Sequence, residues 1–202
     1  MRVDELVQRT LGSCAPTPAY FGPVDLKGPG RKACRDFVAT VDRQIRETPS
    51  LSTIFLSGLW VAERYGQRET LDSLEAMMVE YERLGKRVVF IGPEPLPGFD
   101  VPRTLALSAH LGRKLPETSG EVEFEEDFGA ITRRFDRWRE LGIEVIEPAD
   151  MLMRDGQVLT IRDGVPLYFD TNHLTLAGAR LVLEHAGEID KGEAIGADRD
   201  NR

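Results

Sequence analysis

"RETLDSLEAMMVEYERLGKRVVFIGPEP", residues 68–95, joins two patterns of different period in one run. Its first part places Leu71, Leu74, Met77, Met78, Tyr81 and Leu84 on one face at intervals of three and four, the period of an amphipathic helix. Gly85 then supplies the residue type with which helices commonly stop. "VVFI" follows without a polar interruption, and Gly92, Pro93 and Pro95 close it. A short apolar run bounded in this way predicts a strand buried on both faces, as in a parallel sheet covered by helices.

The same alternation extends in both directions. "RKACRDFVATVDRQIRE" spaces Phe37, Val38, Val41 and Ile45 as a helix, and "STIFLSGLW", between Pro49 and Gly58, reads as a buried strand. Downstream, "DFGAITRRFDRWRELG" predicts one helix, "IEVIEP" a strand, "VPLYFD" a short strand and "TLAGARLVLEHAG" a closing helix. Residues 3–11 read as the end of a helix running into a strand. Residues 96–122 read as irregular, with one helix around "RTLALSAHLG". The expectation is one α/β domain over residues 1–186, a three-layer sandwich with a mainly parallel central sheet, followed by a polar, disordered tail over 187–202. In such sheets functional residues gather in loops at the carboxyl ends of strands.

Composition narrows the function. Charged residues make up 30% of the chain and the net charge is −8. That balance argues against a nucleic-acid binder, which needs a basic face, and disfavours a polybasic membrane contact. No window reaches the roughly 18 apolar residues of a membrane helix, and "MRVDELVQRT" lacks the apolar core of a signal peptide. On these grounds alone the chain reads as cytoplasmic.

Cys14 and Cys34 flank a segment rich in proline and glycine, "CAPTPAYFGPVDLKGPGRKAC". Two readings stand open: a pair of free thiols, or a disulfide stapling a loop with little structure of its own. A bridge of this span would contribute about 3 kcal/mol in the chain-entropy account. It would also place the domain in an oxidising compartment.

"LYFDTNHLTLAGARLV", residues 167–182, sets Asp170 three residues before His173 where strand gives way to helix. A carboxylate beside a histidine can fix its tautomer and stabilise the imidazolium, which makes a general base. Asp170 can equally serve as a turn or capping residue, and Thr175 is the N-cap candidate for the helix that follows. His110 has no acidic neighbour, and His185 lies late in the last helix. Nothing stands at metal-ligand spacing from His173, and neither a Walker loop nor a dinucleotide glycine fingerprint calls for a cofactor. No G-x-S-x-G elbow is present, and Ser13 and Ser57 read as structural serines.

Taken together these segments resemble the SGNH hydrolase superfamily. They are most similar to the SGNH domain at the C-terminus of bacterial acyltransferase-3 type membrane proteins that O-acylate surface polysaccharides. "LGSCAPTP" and the second cysteine, "TIFLSGLWVAERYG", "VVFIGPEPLPGFDVPRTLAL" and "GVPLYFDTNHLTLAGARLV" carry the similarity over about residues 6–186. The resemblance implies Ser-His-Asp acyl chemistry, with Asp170 and His173 as two members of the triad and Gly58 as a backbone oxyanion donor. It implies an acyl ester of polysaccharide as substrate, a membrane acyltransferase domain as partner, and a periplasmic location in which Cys14 and Cys34 would bridge. Trp60 is a core tryptophan or a sugar-stacking face.

The chain departs from that pattern in one decisive respect. The family opens with a strand ending in Gly-Asp-Ser-His, whose serine is the nucleophile, and no such block occurs here. The expectation is a first strand absent from this sequence, with the serine encoded upstream. The alternative is a catalytically inactive relic that binds glycan or scaffolds a partner.

Overall fold

The computed structural model describes residues 6–12, 14–18, 30–61 and 65–184. These form α1 (Gly30–Glu47), β1 (Thr53–Leu56), α2 (Arg68–Arg83), β2 (Arg87–Ile91), α3 (Val101–Leu111), α4 (Glu121–Thr132), α5 (Phe135–Glu140) and β3 (Glu144–Ile146). After them come α6 (Ala149–Leu152), β4 (Met153–Arg154), β5 (Gln157–Val158), β6 (Ile161–Arg162), β7 (Val165–Pro166) and a last helix, α7, over residues 176–184. The fold is mixed α/β with a parallel three-stranded sheet in the order β1-β2-β3. Thr53 pairs in register with Arg87 and Leu56 with Phe90.

The residues fall into two compact units. The first comprises residues 1–90 and 130–145. Its core is built by the stretch that predicted the fold: α2 buries Leu71, Leu74, Met77, Met78 and Tyr81, and β2 buries Val88, Val89 and Phe90. Leu84 lies past the last helical residue, at the C-cap, and is exposed. The ring of Phe90 lies 4.7 Å from Trp60 and 4.8 Å from Trp138, so β2 anchors an aromatic cluster. Trp60 is fully buried and offers no face to a sugar.

Three sequence expectations need correction in this unit and at its edge. Residues 6–11 carry no regular structure. β1 is only half covered, since Ile54 is buried while Phe55 is 50% exposed. The single helix expected over 127–142 is two helices. α4 starts earlier, at Glu121, where the Glu123 carboxylate reaches back to the Gly120 N–H at 2.9 Å, half of a capping box. It tightens where the Arg134 N–H donates to Ile131 O, three residues back, and α5 restarts on Phe135 and Trp138. Arg134 is held at the break by Asp72 and Glu75.

The second unit comprises residues 91–129 and 146–202. Asp100 caps α3 by accepting the Arg103 N–H at 2.9 Å, and Gly112 ends that helix in the left-handed region. Two small hairpins, β4-β5 and β6-β7, lie at residues 153–166, and β7 covers only the start of the short strand expected at "VPLYFD". Both turn on an Asp-Gly pair. Asp155 and Gly156 have φ of 52° and 75°, and Asp163 and Gly164 have 51° and 77°, as a two-residue hairpin with both central residues left-handed requires. Among the described residues no helix is long and apolar enough to cross a membrane. The expected tail, 187–202, and Ser13 and His185 lie outside the described residues.

Candidate active site

The hairpin β6-β7 delivers the chain into the loop 167–175, which is tied at several points. The Thr175 N–H donates to Leu167 O at 2.9 Å, the Thr175 hydroxyl to Pro166 O at 2.9 Å, and the Phe169 N–H to His173 O at 2.7 Å. Tyr168 and Leu174 form an isolated antiparallel bridge. Thr175 also caps α7, its hydroxyl accepting the Gly178 N–H at 3.2 Å. Gly178 packs its α-carbon against Leu167 so closely that a methyl group there would fall onto the Leu167 carbonyl.

Inside this loop the Asp170 carboxylate is fully engaged. Its Oδ1 accepts the N–H groups of Asn172 at 2.9 Å and His173 at 2.8 Å, and its Oδ2 lies 2.8 Å from His173 Nδ1. The two backbone N–H groups, with the imidazole after them, hold the Asp170 carboxyl down to about 2. An ionised carboxylate can only accept, so Nδ1 must donate to it. In neutral imidazole that leaves the lone pair on Nε2. The His173 side chain is 71% exposed and that of Asp170 32%, so the ring presents itself to solvent from a fixed mount. The arrangement can take a proton from a hydroxyl and hold the resulting imidazolium.

A second carboxylate, Glu94, feels the charge of this histidine and was not among the residues the sequence singled out. Glu94 lies just beyond the carboxyl end of β2, between Pro93 and Pro95, and is partly buried. Burial raises its carboxyl from the ordinary range to about 7, opposed by its own backbone N–H and by the charge of His173. The available signal was an acid between two prolines at the end of the central strand. Tyr168, fully buried, donates its hydroxyl to Pro95 O at 2.7 Å, and burial followed by the Glu94 charge raises its phenol.

The remaining sequence candidates are placed elsewhere. Gly58 follows β1 and packs against the Trp60 ring, with Ser57 beside it exposed. His110 is exposed in the last turn of α3. Cys14 and Cys34 are neighbours. They are two thiols in side-chain contact, and burial, with Cys34 adding to it, pushes the Cys14 thiol up to about 12. No group of His, Cys, Asp and Glu that could hold a metal occurs among the described residues.

The structure resembles the periplasmic domain of a lipopolysaccharide acetyltransferase from Salmonella ser. Paratyphi A. The TM-score is 0.58 at 18% identity, covering 88% of this chain and 69% of that one. No curated protein matches the sequence. Residues 4–186 match the family described as "SGNH domain (fused to AT3 domains)". With that match over nearly its whole length, the chain belongs to the family of SGNH domains fused to AT3 domains.

Proposed function

We propose that this SGNH domain works in O-acyl transfer to, or ester hydrolysis on, cell-surface polysaccharide, on the periplasmic side of a bacterial inner membrane and alongside a membrane acyltransferase domain. The observation that carries the reading is the Asp170–His173 pair, which has the tautomer and exposure of a general base within a chain of this family. His173 Nε2 takes the proton of a serine hydroxyl as the serine oxygen bonds to the acyl carbon, and gives that proton to the ester's leaving oxygen as its bond to the acyl carbon breaks. A sugar hydroxyl or water then releases the acyl group, His173 again carrying the proton. The serine belongs to the Gly-Asp-Ser block, which these 202 residues lack, and the sequence-based candidate for an oxyanion donor is the backbone of Gly58.

The test compares ester hydrolysis and polysaccharide acylation by the chain, by a version completed with an upstream Gly-Asp-Ser block, and by the completed His173→Ala variant. The reading expects activity only in the completed protein, lost with His173. A completed protein that is inert while His173→Ala leaves cellular acylation unchanged favours the second reading, a relic that binds glycan or scaffolds the membrane domain. The observation favouring that reading is the missing serine block.

A further inference from the structure

The loop that holds His173 also sets a phenyl ring beside it. Tyr168 and Leu174 oppose each other in the antiparallel bridge, closed by the Thr175 N–H on Leu167 O and the Phe169 N–H on His173 O. The next pair outward is Phe169 and His173, and side chains alternate across such a ribbon. Tyr168 is fully buried, so Phe169 and His173 share the outer face; directly opposed residues set their β-carbons about 5 Å apart. Phe169 is 71% exposed, as open to solvent as the imidazole beside it. A single exposed apolar side chain is ordinary on a protein surface. This one is mounted rather than loose. Its N–H is bonded to His173 O at 2.7 Å, and the Asp170 carboxylate and the Val101 N–H on Asp170 O, at 3.4 Å, pin the tip between the two residues.

We propose that Phe169 is the specificity-determining residue of this site: a sugar ring of the polysaccharide stacks on its phenyl face, which brings one of that sugar's hydroxyls to His173 Nε2. The inference rests on the reading of His173 as base and of polysaccharide as substrate. That hydroxyl gives its proton to Nε2 as its oxygen bonds to the serine-bound acyl carbon, and the proton passes to the departing serine oxygen. The surroundings of the ring select a sugar over an aliphatic chain. An acyl chain needs an apolar enclosure, and most of this ring is open to water. A sugar lays its C–H face on an aromatic ring and keeps its hydroxyls in water or against polar groups. Such groups lie at the tip, where the Thr171 hydroxyl donates to Asn172 Oδ1 at 3.3 Å. Phe169 thus takes the role that Trp60, buried in the core, cannot fill.

The first arm of the test is binding, on the chain itself by NMR. The probe is surface polysaccharide from the bacterium that encodes the chain, freed of O-acyl groups by mild base. The ring resonances of Phe169 and His173 should shift together, and Phe169→Ala should weaken binding roughly 10-fold. No shift at Phe169, or a Phe169→Ala chain that binds as the wild type does, overturns the inference. The second arm uses the protein completed with its serine block. Phe169→Ala should raise KM for polysaccharide roughly 10-fold, a loss well beyond its effect on p-nitrophenyl acetate hydrolysis. Phe169→Trp should keep the wild-type KM. Phe169→Leu should not, because it retains apolar area without a stacking face. Equal losses on both substrates would make the ring a loop support, and Phe169→Leu matching the wild type would make it an acyl-chain contact; either overturns the stacking role. A completed protein inert on every ester ends the acyl-transfer reading instead, and the binding arm still decides the role of Phe169.

Discussion

Asp170 holds His173 twice, through the backbone N–H at 2.8 Å and through Nδ1 at 2.8 Å, so one carboxylate both shapes the turn and aims the ring. Asp170→Asn separates these tasks. The asparagine oxygen can still accept the two backbone N–H groups, but its amide offers a donor to Nδ1 and favours the wrong tautomer. Activity of the completed protein should fall roughly 10³- to 10⁴-fold with the thermal transition little changed. An equally inactive but unfolded variant would show the residue to be structural. For the wild type, the carboxyl is depressed to about 2, so its contribution is present above the ordinary carboxylate range and is lost as pH falls through about 2.

Glu94 gives the opposite pH signature. Its carboxyl titrates from 4.5 when unfolded to about 7 when folded, so the folded state holds the extra proton in between. The contribution of this group is fully present below 4.5 and is lost as pH rises through 7, by about 3 kcal/mol at most. Denaturant titrations of Glu94→Gln should show that part of the slope removed and a more stable protein than the wild type at pH 8.

Gly178 is required by contact rather than by φ. A β-carbon there would strike the Leu167 carbonyl oxygen and come within 3.2 Å of Leu174 Cδ2, both on the histidine loop. Gly178→Ala should destabilise by about 1–3 kcal/mol and blunt activity together, measured by thermal melts and by the acylation assay.

Glu75 organises the break between α4 and α5. Its carboxylate accepts the Trp138 indole N–H at 3.0 Å and Arg137 at 2.9 Å, with its own side chain 13% exposed. Glu75→Ala leaves a buried indole donor without that acceptor and should cost about 2–3 kcal/mol in chemical denaturation. Arg137→Ala, at a group 60% exposed, should cost far less.

Cys14 and Cys34, placed side by side, are proposed to bridge under oxidising conditions. The chain prepared in an oxidising compartment should titrate with no free thiol and lose about 3 kcal/mol of stability on reduction. Two reactive thiols in such a preparation would exclude the bridge.

These outcomes depend on features of unequal visibility in the sequence. The α2 face and β2 were plain because burial there follows one period without interruption from Leu71 to Tyr81 and through Val88 to Phe90. Asp170, His173 and the cap at Thr175 were readable because their contacts are local, within three residues. The two hairpins were missed although "RDG" occurs at both turns, since strands of two residues carry no periodicity to flank the turn signal. The α4–α5 break depends on Arg134 reaching Asp72 and Glu75 some 60 positions earlier, and the anchoring of the Pro93–Pro95 segment on a tyrosine more than 70 positions later. Contacts of that range leave no local pattern.

The central claim is that His173 is the base of an acyl-transfer site. Its most direct measurement is polysaccharide acylation by the protein completed with the serine block, comparing wild type with His173→Ala at matched expression and folding. The expected result is a loss of roughly 10³-fold or more, with the melting temperature preserved because the ring is exposed. Acylation at the wild-type rate in His173→Ala would contradict it.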